Sequence, residues 1–166
     1  MSARDEMQLD GWIHSAISAQ KLQSRRAMSL EDCAAMAQFA ALEAQAIGIP
    51  MVFSLAGASG HQRYFFSMEE ALLVSHRLAA EKAWTAVALK MATHELAVQV
   101  QPSAELYGLQ QESGICCIGG GLPCWSDGVL LGAIGISGGT VEQDLTVARN
   151  TLRRFSAARY VITPTR

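Results

Sequence analysis

Residues 118–144 read IGGGLPCWSDGVLLGAIGISGGTVEQD and hold eight of the chain's fourteen glycines. Their spacing separates two kinds of fold. A dinucleotide loop needs Gly-x-Gly-x-x-Gly after a strand and at the head of a helix, with main-chain N–H groups facing a pyrophosphate. Gly135-Ile-Ser-Gly138-Gly139-Thr140 has the strand and the helix without that spacing. Glu142 and Asp144 also put negative charge in the first helical turn, where they would repel a phosphate. Gly138 and Gly139 are therefore read as a tight turn into a helix that starts at the capping box Thr140-Val-Glu-Gln143. The remainder reads as strands: Ile115–Ile118, Leu122–Trp125 and Val129–Ile136, joined by Gly119-Gly120-Gly121 and by Ser126-Asp127-Gly128, whose Asp-Gly is a hairpin signal. Three consecutive glycines lose much backbone entropy on folding. Their presence implies a close approach to the main chain, by internal packing, a neighbouring subunit or a flat ligand.

Upstream, Pro50–Met68 holds two β-prone runs around Gly57-Ala58-Ser59-Gly60, a second hairpin. Ser29, with Glu31 and Asp32 in the first turn, opens a helix to about Ile47 that Gly48 and Pro50 stop. The box Ser67-Met-Glu-Glu70 predicts a helix from Glu69 to about Met91, bent near Ala79–Lys82. Thr93 is placed as the cap of a short helix over His94–Val100, ended by Pro102, and the closing helix extends to about Ala158. At the front, Leu9, Trp12, Ile13, Ala16 and Ile17 share one helical face, and Gln20–Ala27 reads as a polar connector. The order α-α-β-β-α-α-β-β-β-α predicts an α+β fold, an antiparallel sheet with helices packed against it. Residues 1–28 form an N-terminal helix and connector, and residues 29–160 one domain.

Composition narrows the function classes. Half of the 166 residues are apolar and 17% are charged, so surplus apolar surface is expected at subunit contacts, in a homo-oligomer. No uninterrupted apolar run reaches the roughly 18 residues of a membrane span. The net charge is −2, with basic residues grouped only at Lys21, Arg25 and Arg26 and at Arg149, Arg153 and Arg154, which excludes nucleic acid as the expected partner. The opening MSARDEMQLDGW lacks the order of a secretory signal, so a cytoplasmic location and reduced cysteines are expected. Cys33, Cys116, Cys117 and Cys124 contain no CxxC spacing for structural zinc.

Several motifs, taken in order, resemble the GlcG/HbpS family, which includes the C-terminal domain of PduO-type corrinoid adenosyltransferases. They are Gly48-Ile-Pro50, Gly60-His61, Glu81-Lys-Ala-Trp-Thr-Ala86, Met91-Ala-Thr93, Glu95-Leu-Ala97, Gln101-Pro102 and Leu106-Tyr-Gly108. Gly119-Gly-Gly-Leu-Pro123 and Gly132-Ala-Ile-Gly-Ile-Ser-Gly-Gly-Thr-Val-Glu-Gln-Asp144 complete the set, which spans about Ser29 to Phe155. The resemblance implies a five-stranded antiparallel sheet in a profilin-like arrangement and assembly into dimers or larger oligomers. It also implies heme binding in some members and an association with glycolate or propanediol metabolism. The chain departs from the family pattern at Leu55-Ala-Gly-Ala-Ser-Gly60, which lacks an acidic residue, and at Pro102-Ser-Ala-Glu105, where relatives often carry Pro-Gly-Gly.

Heme needs an apolar slot and an axial ligand, usually His, Cys, Met or Tyr. His94 is the preferred axial and metal-ligating candidate. His76 lies on a helical stripe with Leu72, Ala80 and Ala83. His61 in a turn and His14 on the first helix are expected in solvent. Lys82, among the small residues Ala79, Ala83 and Ala86, is placed to meet a heme propionate or another carboxylate, or else to extend its amine to water. Cys124 beside Pro123 is read as a buried thiol. The expected ligand, heme or a corrinoid, would lie between the glycine corner (Gly120, Gly121, Pro123) and the helix bearing Lys82 and Thr93. The alternative is an enzyme of small hydroxy acids or aldehydes with Lys82 or a histidine as acid or base. A further expectation concerns residues 9–17, which either cover their own domain or dock in a partner's groove, such as that of a bacterial microcompartment shell.

Overall fold

Ser29 closes a capping box: its hydroxyl accepts from the Asp32 N–H and the Asp32 carboxylate accepts from the Ser29 N–H, both at 3.0 Å. From that cap α2 runs Leu30–Ile47, to Gly48 in the left-handed region at φ 68°. The computed structural model describes residues 3–25 and 27–162. Ahead of α2 stands α1 (Ala3–Arg25), longer than the predicted face over 9–17 because most of the polar connector is helical as well. After α2 come β1 (Val52–Gly57), β2 (Gln62–Ser67), α3 (Leu73–Leu89), α4 (Thr93–Gln99) and a 3-10 turn at Tyr107–Gln111. The chain continues through β3 (Gly121–Ser126) and β4 (Val129–Ser137) into α5 (Val141–Ile162).

The sheet has four strands in the order β2-β1-β4-β3, with every neighbouring pair antiparallel. Both hairpins form where the Gly57–Gly60 and Asp127-Gly128 turns place them. The α+β class holds, and the strand count is corrected from five to four. Ile115–Ile118 is not a strand, because the Cys116 N–H donates to Thr85 Oγ1 on α3 (2.9 Å) instead of joining a ladder. A second correction concerns the start of α3. Ser67-Met-Glu-Glu70 does not cap it: Glu70 takes φ 66°, the Met68 N–H donates to Met51 O, and the helix begins at Leu73.

Helices cover both faces of the sheet. On one side α2 and α5 enclose Phe53, Leu55, Leu122, Ile134 and Ile136 together with Cys33, Met36, Ala40 and Val147. On the other side α3 lies on Ala56 and Ala133 through Ala83, Ala86 and Val87. The contact there is backbone to backbone: a Cβ on Gly135 would overlap Ala79 O and sit 2.7 Å from Ala83 N. This seat of small residues brings α3 close enough for one of its side chains to reach past the sheet.

Candidate functional site

That side chain is Lys82. Its ammonium donates to Ile136 O and to Asp144 Oδ2, both at 2.8 Å, and the two side chains are 1% and 4% exposed. Lys82 belongs to α3 and Asp144 to the first turn of α5, on opposite faces of the sheet. The connection passes the glycine corner. A Cβ on Gly120 would lie 2.6 Å from Ile136 O and 2.9 Å from Lys82 Nζ, and Gly120 holds φ 121°. Gly120 O accepts from the Ile136 N–H at 3.0 Å, and Asp144 Oδ1 accepts from the Gly139 N–H at 2.9 Å. The ammonium therefore has a buried carboxylate and a carbonyl as acceptors, and the carboxylate has a second donor in the turn before α5.

Thr93 packs against the next glycine. Its hydroxyl accepts from the Gly121 N–H at 2.9 Å, and a Cβ on Gly121 would stand 2.5 Å from Lys82 O and 2.7 Å from Thr93 Cγ2. Thr93 is not the cap of α4: Ala92 holds that position, with its N–H donating to Glu95 Oε2 at 3.3 Å. The Thr93 hydroxyl is thus free to fix the start of β3. His94, half-buried, leans on Gly119, where an added Cβ would come within 3.2 Å of its Cβ. Its Nδ1 is buried and meets no hydrogen-bond partner among the described residues. Pro123, partly buried in β3, pairs with Ala133.

The structure thus brings together Lys82, Thr93, His94, Gly120 and Gly121, with Pro123 following in β3. The space between the glycines and α3 is filled by the chain's own atoms, so the close approach implied by three glycines is made internally, by Lys82, Thr93 and Asp144. His76 lies elsewhere, near the head of α3, with Nδ1 3.2 Å from Leu73 O and its ring 5.9 Å from that of Phe65. Asp144 is the residue that sequence reasoning placed without its role. As a first-turn acid it was visible, but its partner is 62 residues away.

Chemically, the cluster is a braced corner. Lys82 directs its ammonium at two buried acceptors. Burial pushes the Cys33 and Cys116 thiols above their ordinary value; at Cys116 a hydrogen bond involving the Ile118 backbone and the Lys82 charge pull partly the other way. Burial also raises Cys117. Among the described residues no group of three or more His, Cys, Asp or Glu could hold a metal ion by itself, and no helix is long and apolar enough to cross a membrane.

Comparison with known proteins gives the lineage. The corrinoid adenosyltransferase PduO of Salmonella typhimurium is 45% identical over 128 residues, covering 76% of this chain and 38% of that protein. The chain accordingly spans about two-fifths of the length of the PduO relatives it matches. An uncharacterized 15.0 kDa protein from the dhaT-dhaS intergenic region of Citrobacter freundii is 40% identical over 138 residues, covering 82% of this chain and 97% of that one. Among solved structures, a PduOC:heme complex superposes with a TM-score of 0.74 at 45% identity, over 76% of this chain and 94% of the other. A family model described as haem degrading protein HbpS-like matches residues 28–153, from the approach to α2 into α5. The chain belongs to the HbpS-like family.

Proposed function

We propose that the protein is a homo-oligomeric module that binds heme, or a related tetrapyrrole such as a corrinoid, and acts as an accessory to propanediol or glycolate metabolism. The observation that carries this reading is the likeness, at 45% identity and a TM-score of 0.74, to a domain solved with heme. The side chains of this chain suit such a group. His76 and His94 are half-buried histidines, each with a nitrogen that no described residue engages, and Leu72, Leu73, Phe65 and Trp84 expose apolar surface near His76 along α3 and β2. Heme would bring an iron centre able to take axial ligands and change oxidation state. His76 and His94 are the candidate iron ligands. Lys82, Thr93, Gly120, Gly121 and Pro123 build the wall behind His94 instead of contacting the ligand from inside the corner.

Homo-oligomerisation is supported by the same exposed apolar side chains, since patches of this kind commonly mark protein contacts. The exposed face of α1 over residues 9–17 is proposed to dock on a partner, such as the shell of a microcompartment, in a cytoplasmic setting. In the hydroxy acid or aldehyde chemistry considered above, with Lys82 or a histidine as acid or base, Lys82 would have to leave two buried acceptors. The test is titration of the purified chain with hemin, and with hydroxocobalamin in parallel, followed by absorbance and by light scattering. The expected result is a saturable Soret band at a fixed ratio per protomer. Weak, nonsaturating absorbance that persists after replacement of both His76 and His94 would overturn the reading.

A further inference from the structure

α3 crosses the sheet over β1, β4 and β3 and leaves the edge strand β2 largely uncovered on the same face. His76, Ala80 and Trp84 are four residues apart on α3 and so form one row along its surface. That row borders β2 and its hairpin. The His76 ring lies 5.9 Å from Phe65, and Trp84 Nε1 stands 3.3 Å from where a Cβ on Gly60 would be. From His76 to Trp84 the helix rises about 12 Å, with only the methyl of Ala80 between two flat side chains. Phe65, Trp84, Leu72 and Leu73 are 38%, 43%, 60% and 86% exposed, so this shelf is apolar and open.

The histidine at one end of the shelf is held in a defined state. Its Nδ1 faces Leu73 O at 3.2 Å, and a carbonyl oxygen can only accept, so Nδ1 carries the proton. In the neutral ring Nε2 then bears the lone pair, and no described residue hydrogen-bonds it. A histidine oriented by a backbone carbonyl through one nitrogen and bare at the other is the usual arrangement of a metal-binding imidazole. Among the described residues His94 Nδ1 has no such acceptor, and its Cβ packs on Gly119 at the glycine corner. The next residue after His76, Arg77, has a side chain 75% exposed and among the described residues makes only a surface pair with Glu81 at 3.4 Å, a contact weak enough to give way to a carboxylate of the ligand.

We infer that the shelf between α3 and β2 is the tetrapyrrole site, with His76 Nε2 as the axial base, Phe65 and Trp84 against the macrocycle and Arg77 within reach of a peripheral carboxylate. The assignment rests on the heme reading proposed above and replaces the glycine corner as the place where the ligand binds. The experiment is hemin titration of the full chain and of His76→Gly, His76→Gln, His94→Gly and Phe65→Ala, each checked for fold by circular dichroism. Wild type should give a saturable Soret band, and His94→Gly should keep tighter hemin binding than either His76 variant. Both His76 variants should bind about tenfold or more weakly, with the axial nitrogen missing from the spectrum. Free imidazole should restore the wild-type band to His76→Gly, and Phe65→Ala should weaken uptake without moving the band. If wild type binds hemin while folded His76 variants titrate like it, or if only His94→Gly loses the band, the heme reading stands and the assignment to His76 is overturned. If wild type takes up no hemin, both fall.

Discussion

A lysine 1% exposed survives burial only where its charge is met, and Lys82 is met twice, by Asp144 and by Ile136 O. The desolvation of both ions is large, so the pair's net worth against apolar residues of equal size is small, whereas removing one partner leaves the other stranded. Lys82→Met and Asp144→Leu should each lower the unfolding free energy by about 3–5 kcal/mol, and the double variant should recover most of that loss. Urea denaturation of the four proteins gives the coupling directly. Single variants that unfold like wild type, or losses that simply add, would show that the pair does not brace the fold. Part of this was legible: the alanines around Lys82 announced that its stem could be buried. The identity of its partner was not, because a charge pair between α3 and α5 depends on how two helices seat on opposite faces of the sheet.

Among elements, the caps and hairpins were the most legible, since Ser29 with Asp32, Thr140 with Gln143, Gly57–Gly60 and Asp127-Gly128 each act through a few adjacent residues. The segment before the glycine corner was misread for a physical reason. Ile115–Ile118 has the apolarity of a strand, yet its contact with α3 at Thr85 competes with a ladder, and periodicity does not record which wins. The start of α3 was misplaced because Ser67 and Glu70 resemble a box, while Glu70 at φ 66° leaves the helical path. For β3 the decisive residue is Gly121, whose N–H is fixed by Thr93 and whose Cα faces Lys82 O. Gly121→Ala should cost about 1–3 kcal/mol, since the methyl must displace α3 backbone. Gly108→Ala, with nothing within 4 Å of the added atom, should be close to neutral. Thermal unfolding of the two variants decides it: equal melting points would mean that the glycine corner is not packed as described.

At the scale of the whole molecule α1 stands out by its exposed apolar side chains. From Met7 to Ala19 its side chains are exposed, with Leu9, Trp12, Ile13 and Ile17 at 48%, 71%, 48% and 46%, so the apolar face anticipated over residues 9–17 exists without covering the domain. Most helical stability in proteins comes from burying an amphipathic face. The stripe on α1 stays exposed in the single chain. The domain's own anchor begins later, at Met28, which is buried in the α2–α5 core and whose carbonyl accepts from Arg63 at 3.2 Å. Deleting residues 1–27 should accordingly leave the melting point of the domain within experimental error of the full chain and raise its solubility, because Met7, Leu9, Trp12, Ile13 and Ile17 leave the surface. Scanning calorimetry and light scattering of the two proteins provide the measurement. A melting point lowered by several degrees, or a truncated chain that precipitates, would mean that α1 shields its own domain and is not held out for a partner.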